Sequence, residues 1–256
     1  MARVWLKILN VLAYFLFTGV NLYSFLFDED TKKFPGFKII HQTYISPAPY
    51  VYGIWGLIHL LLLGFVIYQF FAKNEEIITE AIGWRFIIIT IVNATGNKLY
   101  VTILITSALV STVYYRLRTH AHYLTRTCTW SETLFIHAPF SIYHGWVFVL
   151  VVIGGFAAFS EKEQGESPSI LMKILVVLAL LILETTAVGY IEKFKGDIAG
   201  AIVIVWALSG IAVEQDDSVI RWVAVFFAVF TTFHILKAIY QRYISKSETK
   251  GAPLLG

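Results

Sequence analysis

Long apolar stretches recur along the whole chain, with short polar connections between them. The hydrocarbon core of a bilayer is roughly 30 Å thick, so a helix that crosses it needs about 20 mostly apolar residues. The predicted spans cover residues 4–27, 50–72, 81–97, 99–116, 135–159, 169–190, 198–214 and 219–241. The sequence therefore predicts an all-α fold, a polytopic transmembrane helical bundle of about eight spans.

The composition agrees with a membrane protein. Hydrophobic residues make up 57% of the chain and charged residues only 14%, whereas a soluble domain carries about 25% charged residues. The connections are too short for a soluble domain, so we expect residues 1–256 to form a single integral-membrane helical domain. The net charge of +3 is spread along the connections, which argues against a nucleic-acid partner. The bilayer itself is the expected partner.

The third and fourth spans allow two interpretations, because Asn93, Asn97 and Lys98 interrupt the apolar run. Two short helices joined by a tight turn at Gly96-Asn97 are preferred, since one helix over 81–116 would far exceed a single crossing.

The placement of Lys and Arg predicts the orientation. With eight spans both termini share one side, and that side holds most of the twenty Lys and Arg residues. Basic residues concentrate on the cytoplasmic side of membranes, so both termini are predicted to be cytoplasmic. The first apolar stretch is too long for a signal peptide and is expected to remain as a span. Residues 250–256 match no retrieval or lipidation signal, and the organelle is not indicated.

Aromatic residues form stripes on two of the predicted spans. Tyr52, Trp55 and His59 are spaced i, i+3 and i+7, so they share one helical face. Tyr143 and Trp146 share a face of the fifth span. Such rings commonly anchor a helix at the membrane interface or pack on a neighbour. The alternative is that they line a ligand cavity.

Few other residues indicate chemistry. Glu184 lies deep in the sixth span, where a carboxyl group is costly; it is either protonated and hydrogen-bonded or the coupling carboxylate of a transporter. Gly196 and Gly200 form a GxxxG pair that favours internal helix packing, with a homo-oligomer interface as the alternative. His120 and His122 lack the neighbours of a metal motif, so no metal site is predicted. No catalytic motif is visible, which favours a protein that is not an enzyme.

Three segments, taken together and in order, carry a resemblance to a known family. They are SPAPYVYGIWGLIHLLLLG at 46–64, APFSIYHGW at 138–146 and VWALSGIAV at 205–213. On these residues the chain resembles the tryptophan-rich sensory protein/translocator (TspO/MBR) family, and more closely its longer, divergent branch. It departs from the compact branch in having about eight spans rather than five and a histidine at position 59.

The resemblance implies a helical bundle whose cavity accepts a flat hydrophobic molecule such as a tetrapyrrole, a sterol or a related lipid. It implies that Tyr52, Trp55 and His59 line the cavity from the second span, Tyr143 and Trp146 from the fifth, and Trp206 from the seventh. No cofactor is implied, and a porphyrin or haem would be a ligand.

Four functions therefore remain. The favoured one is a ligand-binding sensor or receptor, or a carrier, for a planar hydrophobic molecule. The main alternative is a proton- or ion-coupled transporter that uses Glu184. A membrane enzyme acting on a lipid or tetrapyrrole, and a structural partner subunit, are the remaining two.

Overall fold

The computed structural model describes residues 2–27, 42–72, 75–95, 100–119, 129–160, 167–193 and 196–251. Within these ranges all regular structure is helical and no strand occurs. We number the eight long helices in chain order: α1 (Ala2–Phe27), α2 (Ile54–Tyr68), α3 (Gly83–Thr95), α4 (Tyr100–Thr119), α5 (Ala138–Phe159), α6 (Ile170–Lys193), α7 (Ile198–Glu214) and α8 (Ser218–Gly251).

Short irregular helical turns precede three of these helices. A 3₁₀ turn, Pro49–Gly53, leads into α2, and π-helical turns at Ile77–Ile82 and Thr133–His137 lead into α3 and α5. Proline is suited to a first helical position because its fixed φ matches the helix and its missing N–H would be unpaired there. With these turns α2 and α3 reach spanning length, and α5, already 22 residues long, is extended further.

Seven helical segments in the described ranges are long and apolar enough to cross a bilayer. The remaining helix, α7, is also apolar but has 17 residues, or about 25 Å. The helices begin and end within a few residues of the predicted spans, except that α8 continues to Gly251. α3 and α4 are separate helices, and the turn predicted at Gly96-Asn97 lies outside the described residues. The predicted fold class is confirmed.

Large apolar side chains cover the outside of the bundle. Ile174, Leu178 and Ile182 are exposed on α6, and Phe226 and Phe233 are exposed on α8. A soluble monomer rarely exposes contiguous apolar surface of this kind. Lipid tails can cover this apolar surface, and hydrogen bonds within each helix pair its backbone N–H and C=O groups. The protein is therefore an integral, multi-pass membrane protein.

Helices α5 and α7 occupy the centre of the packing. α5 contacts α2, α4 and α7, and α7 also contacts α6 and α8. α1 packs on α2 and α3 at the other side of α2. A buried amide pair holds α1 to α2, because Asn10 Nδ2 donates to Gln69 Oε1 at 3.1 Å. Such polar contacts are one of the forces that join helices in lipid.

Glycines allow α5 and α7 to cross closely. A Cβ placed on Gly145 would lie 3.0 Å from the backbone oxygen of Gly200. A Cβ on Gly200 would lie 3.1 Å from the Tyr190 ring and 3.2 Å from Ser141 Oγ. Gly196 is not part of α7; it lies in the preceding turn with φ +70°, a conformation suited to glycine. Gly200 thus packs inside the bundle, and a homo-oligomer interface stays a prediction.

Candidate functional site

The segment just before α2 is hydrogen-bonded to α7 and to the residue that follows it. The backbone N–H of Ala48 donates to Gly210 O at 3.0 Å. Gln215, just after α7, donates from Nε2 to Ser46 O at 2.7 Å. A Cβ on Gly210 would overlap the Val51 side chain, so the 3₁₀ turn lies directly on the α7 backbone. These contacts determine where the following rings point.

Five of the predicted site residues meet inside the bundle, and we call them the aromatic cluster: Tyr52, Trp55, His59, Tyr143 and Trp146. The Trp55 ring centroid lies 5.9 Å from that of Tyr143 and 6.3 Å from that of Trp146. The Tyr52 ring meets Trp146 at 5.8 Å. All three pairs are edge-to-face, which is a favourable arrangement for aromatic rings. The stripe on α2 therefore faces the stripe on α5.

The cluster is shielded from the outside. Trp146 is 0% exposed and Trp55 is 8% exposed. Neither indole N–H has a hydrogen-bond partner among the residues that the structure describes. A buried polar group without a partner costs about 1–3 kcal/mol, and Trp N–H groups usually find a partner when buried. Two such donors on contacting rings are therefore the most unusual feature of the site.

A polar group closes one side of the cluster. Asn93 Nδ2, near the end of α3, donates to the Tyr143 hydroxyl at 2.8 Å. The same amide nitrogen lies 3.3 Å from Thr106 Oγ1 on α4. Tyr143 is thereby held by its hydroxyl while its ring stays against Trp55. The asparagine that interrupts the third predicted span thus has a structural use.

His59 lies at the α1 side of the cluster. Its ring packs on Phe17 with a centroid distance of 4.6 Å and on Trp55 at 6.2 Å. Its Nδ1 is 3.3 Å from Thr18 Oγ1, and its backbone oxygen accepts from the Tyr14 hydroxyl at 3.0 Å. α1 therefore forms one wall of the cluster.

Two predicted residues lie apart from the cluster. Trp206 packs its ring on Tyr50 at 5.1 Å and donates from Nε1 to Val51 O at 3.2 Å. It is 41% exposed, so its outer face meets lipid. Glu184 is 6% exposed and lies on α6 within electrostatic range of His234 on α8. Neither residue touches the five clustered rings in the described contacts.

A second buried group, which sequence reasoning missed, centres on Asp197 in the turn before α7. Its Oδ2 accepts from Ser141 Oγ at 2.5 Å and from the Tyr114 hydroxyl at 2.7 Å. The Arg118 guanidinium pairs with the same oxygen at 2.5 Å. Asp197 is 5% exposed. The carboxylate thus joins α4, α5 and the start of α7, and we call this group the Asp197 network.

His144 extends the Asp197 network to α6. Its ring stacks on Tyr114 with centroids 4.4 Å apart and planes at 1°. Ser111 Oγ donates to Ser107 O at 2.6 Å, so this oxygen is left to accept from His144 Nε2, 2.9 Å away. His144 Nδ1 then accepts from the Tyr190 hydroxyl. These contacts assign the proton of a neutral His144 to Nε2.

The Asp197 network and the aromatic cluster share α5. Ser141 and His144 face the network, whereas Tyr143 and Trp146 face the cluster. Four of the six residues from Ser141 to Trp146 therefore contact one group or the other, on two sides of the helix. The network residues of α5 are close together in the sequence, but their partners on α4 and at the start of α7 are distant in the sequence. The one signal in the sequence that could have pointed to the network is the i, i+4 spacing of Tyr114 and Arg118, which places them on one helical face.

His120 and His122 lie outside the described residues, as does Cys128. Within the described ranges, no group of three or more His, Cys, Asp or Glu side chains is placed to hold a metal ion.

Comparison with known proteins places this chain in a family. No curated protein and no solved structure matches the chain. Residues 7–237 match the family described as TSPO-like protein, and this range includes α2, α5 and α7 with all five rings of the aromatic cluster. The resemblance noted in the sequence is confirmed. The chain belongs to the TSPO-like protein family.

Proposed function

We propose that this membrane protein is a sensor, receptor or carrier that binds a planar hydrophobic molecule, such as a tetrapyrrole or a sterol, at the aromatic cluster. The observation that supports the proposal most strongly is the pair of buried indole N–H groups of Trp55 and Trp146, which have no acceptor in the described part of the chain. A ligand that supplies a carbonyl or carboxylate oxygen would satisfy them.

The ring geometry also suits a flat ligand. Edge-to-face packing of Trp55 on Tyr143 and Trp146 can change to stacking when a planar molecule enters, and aromatic contacts of this kind are worth about 0.5–1.5 kcal/mol each beyond the buried area. Ligand sites are mostly apolar with a few polar groups that orient the ligand. The cluster has this composition, since its polar atoms are two indole nitrogens, two hydroxyls and one imidazole.

Entry would require the rings to separate, because they contact one another in this structure. The wall formed by α1 is the element we expect to move. It contacts α2 and α3 but neither α5 nor α7 in the principal packing, so it is attached to the bundle less extensively than the central helices. Both termini are proposed to lie on the cytoplasmic side.

Titration of purified protein in nanodiscs with protoporphyrin tests the proposal, read by the shift of the porphyrin absorption band. We expect saturable binding in the wild type and binding that is roughly five- to tenfold weaker in Trp55→Phe and Trp146→Phe, because each change removes one hydrogen bond but keeps a ring. Trp222→Phe is the matched control, since Trp222 is exposed on α8. Equal affinities in all four proteins would contradict the proposal.

A proton-coupled transporter is the second candidate, and one observation favours it: Glu184 is buried within α6, at the interface with α8. Ionisable groups at membrane depth often mark coupling sites. Glu184→Gln separates the two functions. Loss of proton-coupled uptake into liposomes with porphyrin binding intact would favour transport, whereas the receptor function predicts no effect of this variant on binding.

A further inference from the structure

A cavity lies between the C-terminal end of α6 and the last turns of the spanning part of α8, two helices that do not contribute to the aromatic cluster. Its volume is about 180 Å³. Drug-sized ligands occupy pockets of roughly 300–1,000 Å³, so this cavity suits a smaller group. Its polar lining comes from Glu192, Gly196, His234, Lys237 and Gln241.

The lining carries both signs of charge. Lys237 supplies an ammonium group and Glu192 a carboxylate. The Glu192 Oε1 atom lies 3.9 Å from His234 Nδ1, which is too far for a hydrogen bond. The same His234 nitrogen is buried and makes no hydrogen bond to any described residue. The cavity is thus lined by side chains with N–H donors on α8 and by a carboxylate acceptor on α6.

The position of the cavity in the membrane indicates what could fill it. Lys237 and Gln241 lie in the last turns of the apolar segment Ser218–Gln241, and Glu192 lies at the end of Ile170–Lys193. The ends of spanning segments are at the depth of lipid headgroups. Phe233 and Tyr240, next to the lining residues His234 and Gln241 in the sequence, are exposed on α8 and would contact acyl chains.

We infer that this cavity binds the headgroup of a phospholipid that carries a primary ammonium group, a phosphoethanolamine lipid. Lys237, Gln241 and His234 face the phosphate, and the Glu192 carboxylate accepts hydrogen bonds from the ammonium. A purely anionic headgroup would place negative charge beside Glu192, and like charges repel. A phosphocholine headgroup has no N–H to donate. The inference is independent of the proposed function of the aromatic cluster.

Lipid exchange followed by native mass spectrometry tests this inference. The full-length protein is delipidated and exposed to equimolar phosphatidylethanolamine, phosphatidylcholine and phosphatidylglycerol. We expect about tenfold preferential retention of phosphatidylethanolamine, since one charge-assisted hydrogen bond is gained. Glu192→Gln should abolish the preference over phosphatidylcholine, and Lys237→Gln should weaken retention of all three lipids. Lys193→Gln, a change beside Glu192 but outside the cavity, is the matched control.

A competition experiment distinguishes a membrane lipid from a soluble ligand with the same headgroup. Glycerophosphoethanolamine, which has the headgroup without acyl chains, should compete only weakly if the occupant is a membrane lipid; full competition would mean that the site takes a soluble phosphate ester instead. Preferential retention of phosphatidylglycerol, equal retention of the three lipids, or an unchanged preference in Glu192→Gln would overturn the inference. Gel filtration shows that each variant is folded, and unchanged protoporphyrin binding shows that the aromatic cluster is unaffected.

Discussion

The Asp197 carboxylate holds the Arg118 guanidinium at 2.5 Å and thereby fastens the start of α7 to the end of α4. Both side chains are buried, with 3% and 8% of their surface exposed. Ser141 and Tyr114 donate to the same carboxylate oxygen. An ion pair with these additional hydrogen bonds is the arrangement in which buried charges are tolerated. The network keeps α7 in place, and α7 in turn supports the start of α2.

Removal of Asp197 should destabilise the protein strongly. Asp197→Ala leaves the buried Arg118 without its carboxylate, and breaking a buried pair typically costs about 3–5 kcal/mol. Thermal unfolding of the detergent-solubilised protein measures the effect. Lys173→Gln is the comparison, because Lys173 pairs with Asp217 at 2.8 Å but is 30% exposed, and pairs of that kind contribute about 1 kcal/mol or less. Similar losses in the two variants would contradict the role of the network.

The close crossing of α5 and α7 predicts a large difference between two glycine substitutions. In Gly145→Ala the new methyl group would lie 3.0 Å from the Gly200 backbone oxygen, which cannot move aside without shifting α7. Overpacking of this kind costs typically about 1–3 kcal/mol. Gly189→Ala is the control, since a Cβ there meets nothing within 4 Å, and the helix propensity of alanine should make that change neutral or stabilising. Equal melting temperatures for the two variants would refute the close crossing.

The carboxyl group of Asp217, at the start of α8, should make the stability of the fold depend on pH. Its Oδ1 accepts from the backbone N–H groups of Val219 and Ile220 at 3.0 and 3.2 Å. Burial by itself raises the pKa of this carboxyl, but the hydrogen bond from Lys173 and those from the two N–H groups outweigh burial and hold the pKa below its ordinary value of 3.8. A lower pKa in the folded chain stabilises the fold above the unfolded pKa, and this contribution disappears as the pH falls through the folded pKa.

The melting temperature should therefore decline as the pH is lowered from about 5 to 2, and less steeply in Asp217→Asn, which has no proton to gain there. At neutral pH the variant should be less stable than the wild type, because its amide caps α8 but does not pair with Lys173 as a carboxylate does. Parallel pH profiles for the two proteins would rule out a contribution from this carboxyl.

The membrane topology can be measured with single cysteines. Cys128 is the only cysteine, so Cys128→Ser gives a background into which Ala2→Cys or Gly256→Cys is introduced. If all eight helices cross, both positions react with an impermeant maleimide from the same side, which we expect to be the cytoplasmic side. Labelling from opposite sides would mean that one helix does not cross, and the 17-residue α7 would be the first candidate.

The sequence was informative about each helix and about the site residues that share a helix. Apolar length located the helices, and the spacing of Tyr52, Trp55 and His59 predicted their common face. It was less informative about contacts between helices, because almost every face is apolar when lipid replaces water as the solvent. Trp206 illustrates the difficulty. It has the same residue type as Trp146, yet the rotation of α7 turns it towards Tyr50 and lipid.

The Asp197 network could not be predicted for a related reason. Asp197 lies in a short polar turn, where an acidic residue normally meets water. Its partners Tyr114 and Arg118 lie on α4, and no periodicity in the sequence connects two helices that are so far apart along the chain. Gly196 and Gly200 predict a close approach between helices near this turn, but not that α5 is the helix that crosses there.

Tryptophan fluorescence can show most directly whether a ligand binds at the aromatic cluster. The chain has seven tryptophans; a variant in which all except Trp55 and Trp146 are replaced by phenylalanine reports on the aromatic cluster alone. Protoporphyrin should quench this fluorescence saturably, with one molecule bound per chain. Quenching that rises in proportion to the porphyrin in the bilayer without saturation would contradict a binding site among these rings.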